Sequence, residues 1–81
     1  MERLNNKLIR SFAITLKMRR KLAGLSQEEF AHRLDLSVSY ISLLETENRQ
    51  PTLTVLGAIA EELGLPLSEF MNLVERQSAQ N

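Results

Sequence analysis

The stretch R-K-L-A-G-L-S-Q-E-E-F-A-H-R-L (residues 20–34), followed after Asp35 and Leu36 by S-V-S-Y-I-S-L-L-E (residues 37–45), decides how this chain folds. Gly24 is a cheap left-handed stop for a helix arriving from the N-terminal side. Ser26 and Glu29 form the pattern S-x-x-E, a capping box: the serine oxygen accepts from the third helical N–H, and the glutamate reaches back to the serine N–H. Phe30, Ala31 and Leu34 supply the apolar face of the short helix that follows. Asp35 tolerates the left-handed turn that ends it. Ser37 is the next N-cap, and a further helix runs from Val38 to about Thr46. Two short helices joined by so tight a turn cannot lie antiparallel and must cross steeply.

The neighbouring segments extend the helical pattern. Leu4, Leu8, Phe12 and Leu16 recur every four residues, with Ile9 and Ala13 beside them, which predicts a first helix from about Asn5 to Ala23. Beyond a polar loop over Glu47–Pro51, Thr52 caps a fourth helix (53–63) with Leu53, Leu56, Ile59, Ala60 and Leu63 on its apolar face and Gly64 at its end. Gly57 inside it costs roughly 1 kcal/mol relative to alanine, which implies close packing there or a tolerated loss. Pro66 opens a fifth helix (67–76), and Gln77–Asn81 read as a frayed tail. No strand alternation or internal repeat is present. The expected architecture is all-α: one five-helix domain over residues 1–81 with a helix-turn-helix at the second and third helices.

Composition narrows the function. A chain of 81 residues has room for one domain and buries only ~60% of its unfolded surface, so a partner subunit would add stability. Apolar residues at 43% are enough for a core. Cysteine is absent, which excludes disulfides and thiolate metal sites. No apolar run approaches the ~18 residues needed to span a bilayer, and no signal peptide precedes the helical pattern. A soluble, cytoplasmic protein is expected. His32 is the only histidine, too little for a metal site. No nucleophile–base pair or phosphate-binding glycine loop is present, so neither an enzyme, a cofactor nor a small-molecule ligand is expected.

The formal net charge is zero, but its distribution is uneven. Arg3, Lys7, Arg10, Lys17, Arg19, Arg20 and Lys21 face a single acid, Glu2, within the first 25 residues; the remainder holds Arg33, Arg49 and Arg76 among nine acids. A local positive field is what nucleic acid requires, although the same residues also suit the solvated face of a helix. The third helix carries the sharper signal. At 100° per residue, Ile41 and Leu44 face the core while Ser39, Ser42, Leu43 and Thr46 point away. Small polar groups can approach base edges closely. Leu43 either meets a thymine methyl or helps to bury a neighbouring element, and Val38 likewise touches a methyl or packs on the turn.

These residues, together with R-Q-P-T-L (49–53), also carry a resemblance. G-L-S-Q-E-E followed by Y-I-S-x-x-E at this spacing resembles the Cro/C1-type helix-turn-helix family, which includes phage repressors and the controller proteins of restriction–modification systems; the small size and Y-I-S-x-x-E look most like the controllers. The resemblance covers about residues 10–74. It implies a lambda-repressor-like fold and a transcriptional regulator that places helix 38–46 in the major groove of double-stranded DNA. Val38, Ser39 and Leu43 match base-reading positions, with Ser42 beside them. Gln27, next to the Ser26 cap, matches a phosphate anchor, and a helix N-terminus suits an anion. Tyr40 and Arg49 match backbone-contacting positions. Arg20 and Glu45 match an inter-helix salt bridge that would leave Arg20 partly available to phosphate. Two departures stand out: Glu47 replaces the usual Gly or Asn, and position 43 is polar in the phage repressors.

One recognition helix reads few base pairs, and the family dimerises. Leu65, Leu67, Phe70, Met71, Leu73 and Val74 exceed what closing one small bundle requires, so they are the expected homodimer interface. Such a dimer would bind a pseudo-palindrome with half-sites about 34 Å apart. The rival readings are a protein-binding module such as an antitoxin or anti-repressor, favoured by the zero net charge and acidic later helices, and a helical adaptor without a DNA role.

Overall fold

The computed structural model describes residues 6–80, so Glu2, Arg3, Leu4, Asn5 and Asn81, which enter the expectations above, lie outside the described residues. Within them the order is α1 (Asn6–Leu22), α2 (Gln27–Leu34), α3 (Val38–Glu45), α4 (Leu53–Glu62) and α5 (Leu67–Gln80). Capping chemistry sets most of these boundaries. Ser26 Oγ accepts from the Glu29 N–H at 3.0 Å, and Glu29 Oε1 accepts from the Ser26 N–H at 2.8 Å. Ser37 Oγ accepts from the Tyr40 N–H at 3.0 Å, and Thr52 Oγ1 from the Val55 N–H at 3.1 Å. Asp35 closes α2 in the left-handed region at φ 58°. Helix α3 stops one residue short of the expected end, because Thr46 leaves the helical region (φ −110°) and its hydroxyl donates to the Ser42 carbonyl at 2.8 Å.

Side chains from all five helices build the core. Phe12, Leu16, Phe30, Ile41, Leu44, Ile59, Phe70 and Val74 are buried together. Phe12 and Phe70 meet edge to face, with centroids 6.2 Å apart and planes at 81°, a geometry worth ~0.5–1.5 kcal/mol beyond area burial. Helix α5 lies along α1 in the most extensive helix pairing. It continues to Gln80 instead of fraying after Arg76. Gln77–Gln80 contains no helix breaker, and Gln77 and Gln80, with Leu73 and Arg76, line a groove beside Thr15, Met18 and Arg19 of α1.

The expected dimer face needs correction. Phe70 and Val74 have no exposed surface; both belong to the chain's own core and cannot form a dimer face. The expected interface contracts to Leu65, Leu67, Met71 and Leu73, which are half-buried. Of the two readings open for Gly57, the tolerated loss fits, since a Cβ built there meets nothing within 4 Å. Among the described residues no helix is long and apolar enough to cross a membrane.

Candidate nucleic-acid interface

The rotation of α3 follows from its two anchors. Ile41 and Leu44 are wholly buried, which turns Val38 and Ser39 outward as exposed residues, with Ser42 and Leu43 half-exposed. Leu43 stands outside the core cluster, whereas Tyr40 packs its ring against it. Thr46 is engaged in ending the helix: besides donating to Ser42, its hydroxyl accepts from Asn48 Nδ2 at 2.8 Å. The solvent-facing strip is therefore short, small and uncharged. Arg49 lies just past it, exposed in the α3–α4 loop.

What holds this strip in place is a lock between four segments. Arg20 of α1 donates from Nε to Glu45 Oε2 at 2.7 Å and from Nη2 to Glu45 Oε1 at 3.1 Å, a two-pronged contact with the last residue of α3. Its Nη1 donates to the carbonyl of Leu25 in the α1–α2 turn at 2.7 Å. Gln27 Nε2 at the start of α2 donates to Glu45 Oε1 at 2.9 Å. The two charged side chains are only 6% and 2% exposed. Arg20 is consequently not available to a phosphate, because burial and three short bonds hold it inside the fold. Gln27 is half-buried, with one amide hydrogen tied to Glu45 and its backbone N–H at the free end of α2. Ser26 uses its oxygen as an acceptor within the capping box and retains its hydroxyl hydrogen. The Glu29 carboxyl in that box lies below its ordinary value of 4.5, first because of the Ser26 backbone hydrogen bond and then because of the Ser26 hydroxyl.

Local patterns could not relate residues far apart in the chain. The Gln27–Glu45 bond lies beyond their reach for that reason, as does the meeting of α1 with the loop after α3. There Glu47 adopts φ 68°, a left-handed conformation that a residue with a long side chain rarely takes. Its carboxylate lies 3.6 Å from Arg10 Nε. Lys7 and Arg10 of α1, with Glu47, Asn48, Arg49 and Gln50, line a hollow of about 670 Å³. His32 is exposed, and among the described residues no cluster of three or more His, Asp or Glu could hold a metal ion.

Comparison with known proteins fits this geometry. The helix-turn-helix family profile matches residues 16–70. Control protein C.MunI of Mycoplasma sp is 38% identical over 61 residues, which cover 75% of this chain and 82% of that protein. The solved structure of the clp gene regulator ClgR from Corynebacterium glutamicum superposes with a TM-score of 0.84 at 20% identity, covering 90% of this chain and 78% of that one. The wild-type restriction–modification controller protein C.Esp1396I superposes with a TM-score of 0.84 at 24% identity, covering 99% and 100%. The same controller as a tetramer in complex with its natural 35 base-pair operator gives 0.82 at 24%, covering 96% and 99%. These likenesses show a lambda-repressor-like arrangement of five helices. The profile match takes in both helices of the motif and the Arg20–Glu45 lock that joins them to α1, and the chain belongs to the Cro/C1-type helix-turn-helix family of DNA-binding transcriptional regulators, which are not enzymes.

Proposed function

We propose that the chain binds a pseudo-palindromic operator as a homodimer, with α3 of each protomer in the major groove, and regulates transcription in the cytoplasm from that site. The observation that carries this reading is the rotation of α3: burial of Ile41 and Leu44 presents Val38, Ser39, Ser42 and Leu43 along one edge, with Arg49 just beyond. None of these four side chains can make the bidentate contacts with guanine or adenine that Arg, Asn or Gln make. Discrimination then rests on hydroxyl contacts, thymine methyl groups against Val38 and Leu43, and DNA shape. Phosphates are gripped by the Gln27 N–H at the start of α2 and the Ser26 hydroxyl, by the Tyr40 hydroxyl and by Arg49.

The dimer forms through Leu65, Leu67, Met71 and Leu73, at the α4–α5 turn and along α5. That the controller C.Esp1396I assembles as a tetramer on its operator supports an oligomer on DNA. Titration into random-sequence duplex DNA at several salt concentrations, with size-exclusion chromatography and light scattering, tests both parts. The expected result is a dimer whose affinity falls with salt at a log–log slope of about −0.9 per phosphate contact. A monomer at micromolar concentration refutes the dimer. Absence of binding at low salt favours the rival reading, an antitoxin or anti-repressor using this fold, to which the zero net charge points.

A further inference from the structure

Of the residues that line the hollow between α1 and the α3–α4 loop, only Arg49 enters the contacts proposed above, and the lining is one-sided in its chemistry. Lys7, Arg10 and Arg49 are three cationic residues among its lining, beside Asn48 and Gln50. The single acid among the lining residues is Glu47. Its carboxylate approaches Arg10 at 3.6 Å, with the two side chains 42% and 61% exposed. At that distance and exposure an ion pair adds little to stability, so the fold does not depend on it. Glu47 also reaches this place from a left-handed backbone, φ 68°, where its side chain brings no conformational benefit. An acidic side chain thus occupies the position in this cluster where an external anion would bind.

The location supplies the anion. A helix lying in the ~12 Å wide major groove has a sugar–phosphate wall on either side, and a loop leaving its C-terminal end meets one of them. We infer that Lys7 and Arg10 join Arg49 in a binding site for a DNA backbone phosphate outside the helix-turn-helix, and that the Glu47 carboxylate competes for it and holds affinity down. Arg10 supplies a planar guanidinium suited to a two-pronged phosphate contact, and Lys7 adds a point charge. In wild type Glu47 keeps a phosphate from Arg10; without its charge a phosphate takes that place with no change in the packing of α3, whose anchors Ile41 and Leu44 lie elsewhere. The inference rests on the DNA-binding reading above.

The test is the salt dependence of binding to a random-sequence duplex, followed by fluorescence anisotropy for wild type, Glu47→Gln, Arg10→Gln and the double variant. Glu47→Gln keeps the shape and backbone of the loop and removes only the charge. Glu69→Gln, an exposed carboxylate on α5, controls for net charge. One additional phosphate contact should steepen the log–log slope of Glu47→Gln by about 0.9 and raise affinity about 8-fold at 0.1 M salt. Arg10→Gln should change little alone and cancel the gain in the double variant. An unchanged slope in Glu47→Gln, or an equal gain in Glu69→Gln, overturns the site while leaving DNA binding intact. Failure of wild type to bind any duplex at low salt would instead overturn the DNA-binding reading, and this site with it.

Discussion

Glu45→Leu should be among the most damaging single substitutions in this protein, although it replaces a charged residue with an apolar one. Glu45 accepts three hydrogen bonds, from Arg20 Nε (2.7 Å), Arg20 Nη2 (3.1 Å) and Gln27 Nε2 (2.9 Å). Without it, the Arg20 guanidinium stays buried with the Leu25 carbonyl as its one remaining partner in the lock. Breaking a buried pair from one side costs about 3–5 kcal/mol, because the remaining charge is neither solvated nor compensated. A fold of this size is stabilised in total by about 4–12 kcal/mol, so a large share of its stability would be lost. At about 4–8 °C per kcal/mol, the melting temperature should fall by at least about 12 °C. Arg20→Met should lose a similar amount, leaving the carboxylate with Gln27 alone. The double variant Arg20→Met/Glu45→Leu removes both charges and should recover to within about 2 kcal/mol of wild type, since apolar replacements of a buried pair are often neutral. The assay is urea denaturation followed by circular dichroism at 222 nm, analysed as a double-mutant cycle. Single losses below about 1 kcal/mol, as for an exposed pair, would refute the reasoning. So would a double variant as damaged as the sum of the singles.

Three other substitutions probe separate features. Gly57→Ala in α4 should stabilise by up to about 1 kcal/mol, because the added methyl meets nothing within 4 Å; a lowered melting temperature would show that a partner closes on that face. Thr15 is buried and its hydroxyl has no hydrogen-bond partner among the described residues, so Thr15→Val, of nearly the same shape, should raise stability by about 1 kcal/mol through removal of an unsatisfied polar group. Loss of stability on urea titration would place a bonding partner at that hydroxyl. The third concerns pH. Since the folded Glu29 carboxyl lies below its ordinary value of 4.5, its contribution is fully present above that pH and is lost as pH falls through the lowered folded value. Glu29→Gln retains a capping-box partner without the titration, so its melting temperature should fall less than that of wild type between pH 5 and pH 3. Parallel decline of the two proteins would exclude Glu29 as a contributor to acid sensitivity.

How much of this was legible beforehand differs between elements. The capping box at Ser26 and Glu29, the caps at Ser37 and Thr52, and the outward turn of Ser39 against Ile41 could all be read from residues three or four apart. Helix α5 shows the other outcome. Its apolar positions were visible, but Phe70 and Val74 were assigned to a partner subunit when they belong to the chain's own core beside Phe12. A helical period says which residues share a face and nothing about which body covers that face. The sequence pattern likewise ends α5 near Arg76, where its apolar positions stop, whereas the helix runs on to Gln80.

The division for the DNA-facing surface is similar. The sequence by itself determined the helix-turn-helix and the rotation of its recognition helix, because caps, turns and amphipathic period act over a few residues and need no distant partner. Only the tertiary structure decided what each polar group is free to do. It buries Arg20 against Glu45 and Leu25, ties Gln27 to Glu45, and brings Lys7 and Arg10 to the loop beyond α3 beside Glu47. A guanidinium in water and one enclosed by three acceptor atoms are the same letter in the sequence. Their chemistry differs because desolvation and fixed hydrogen bonds arise only when distant segments pack together.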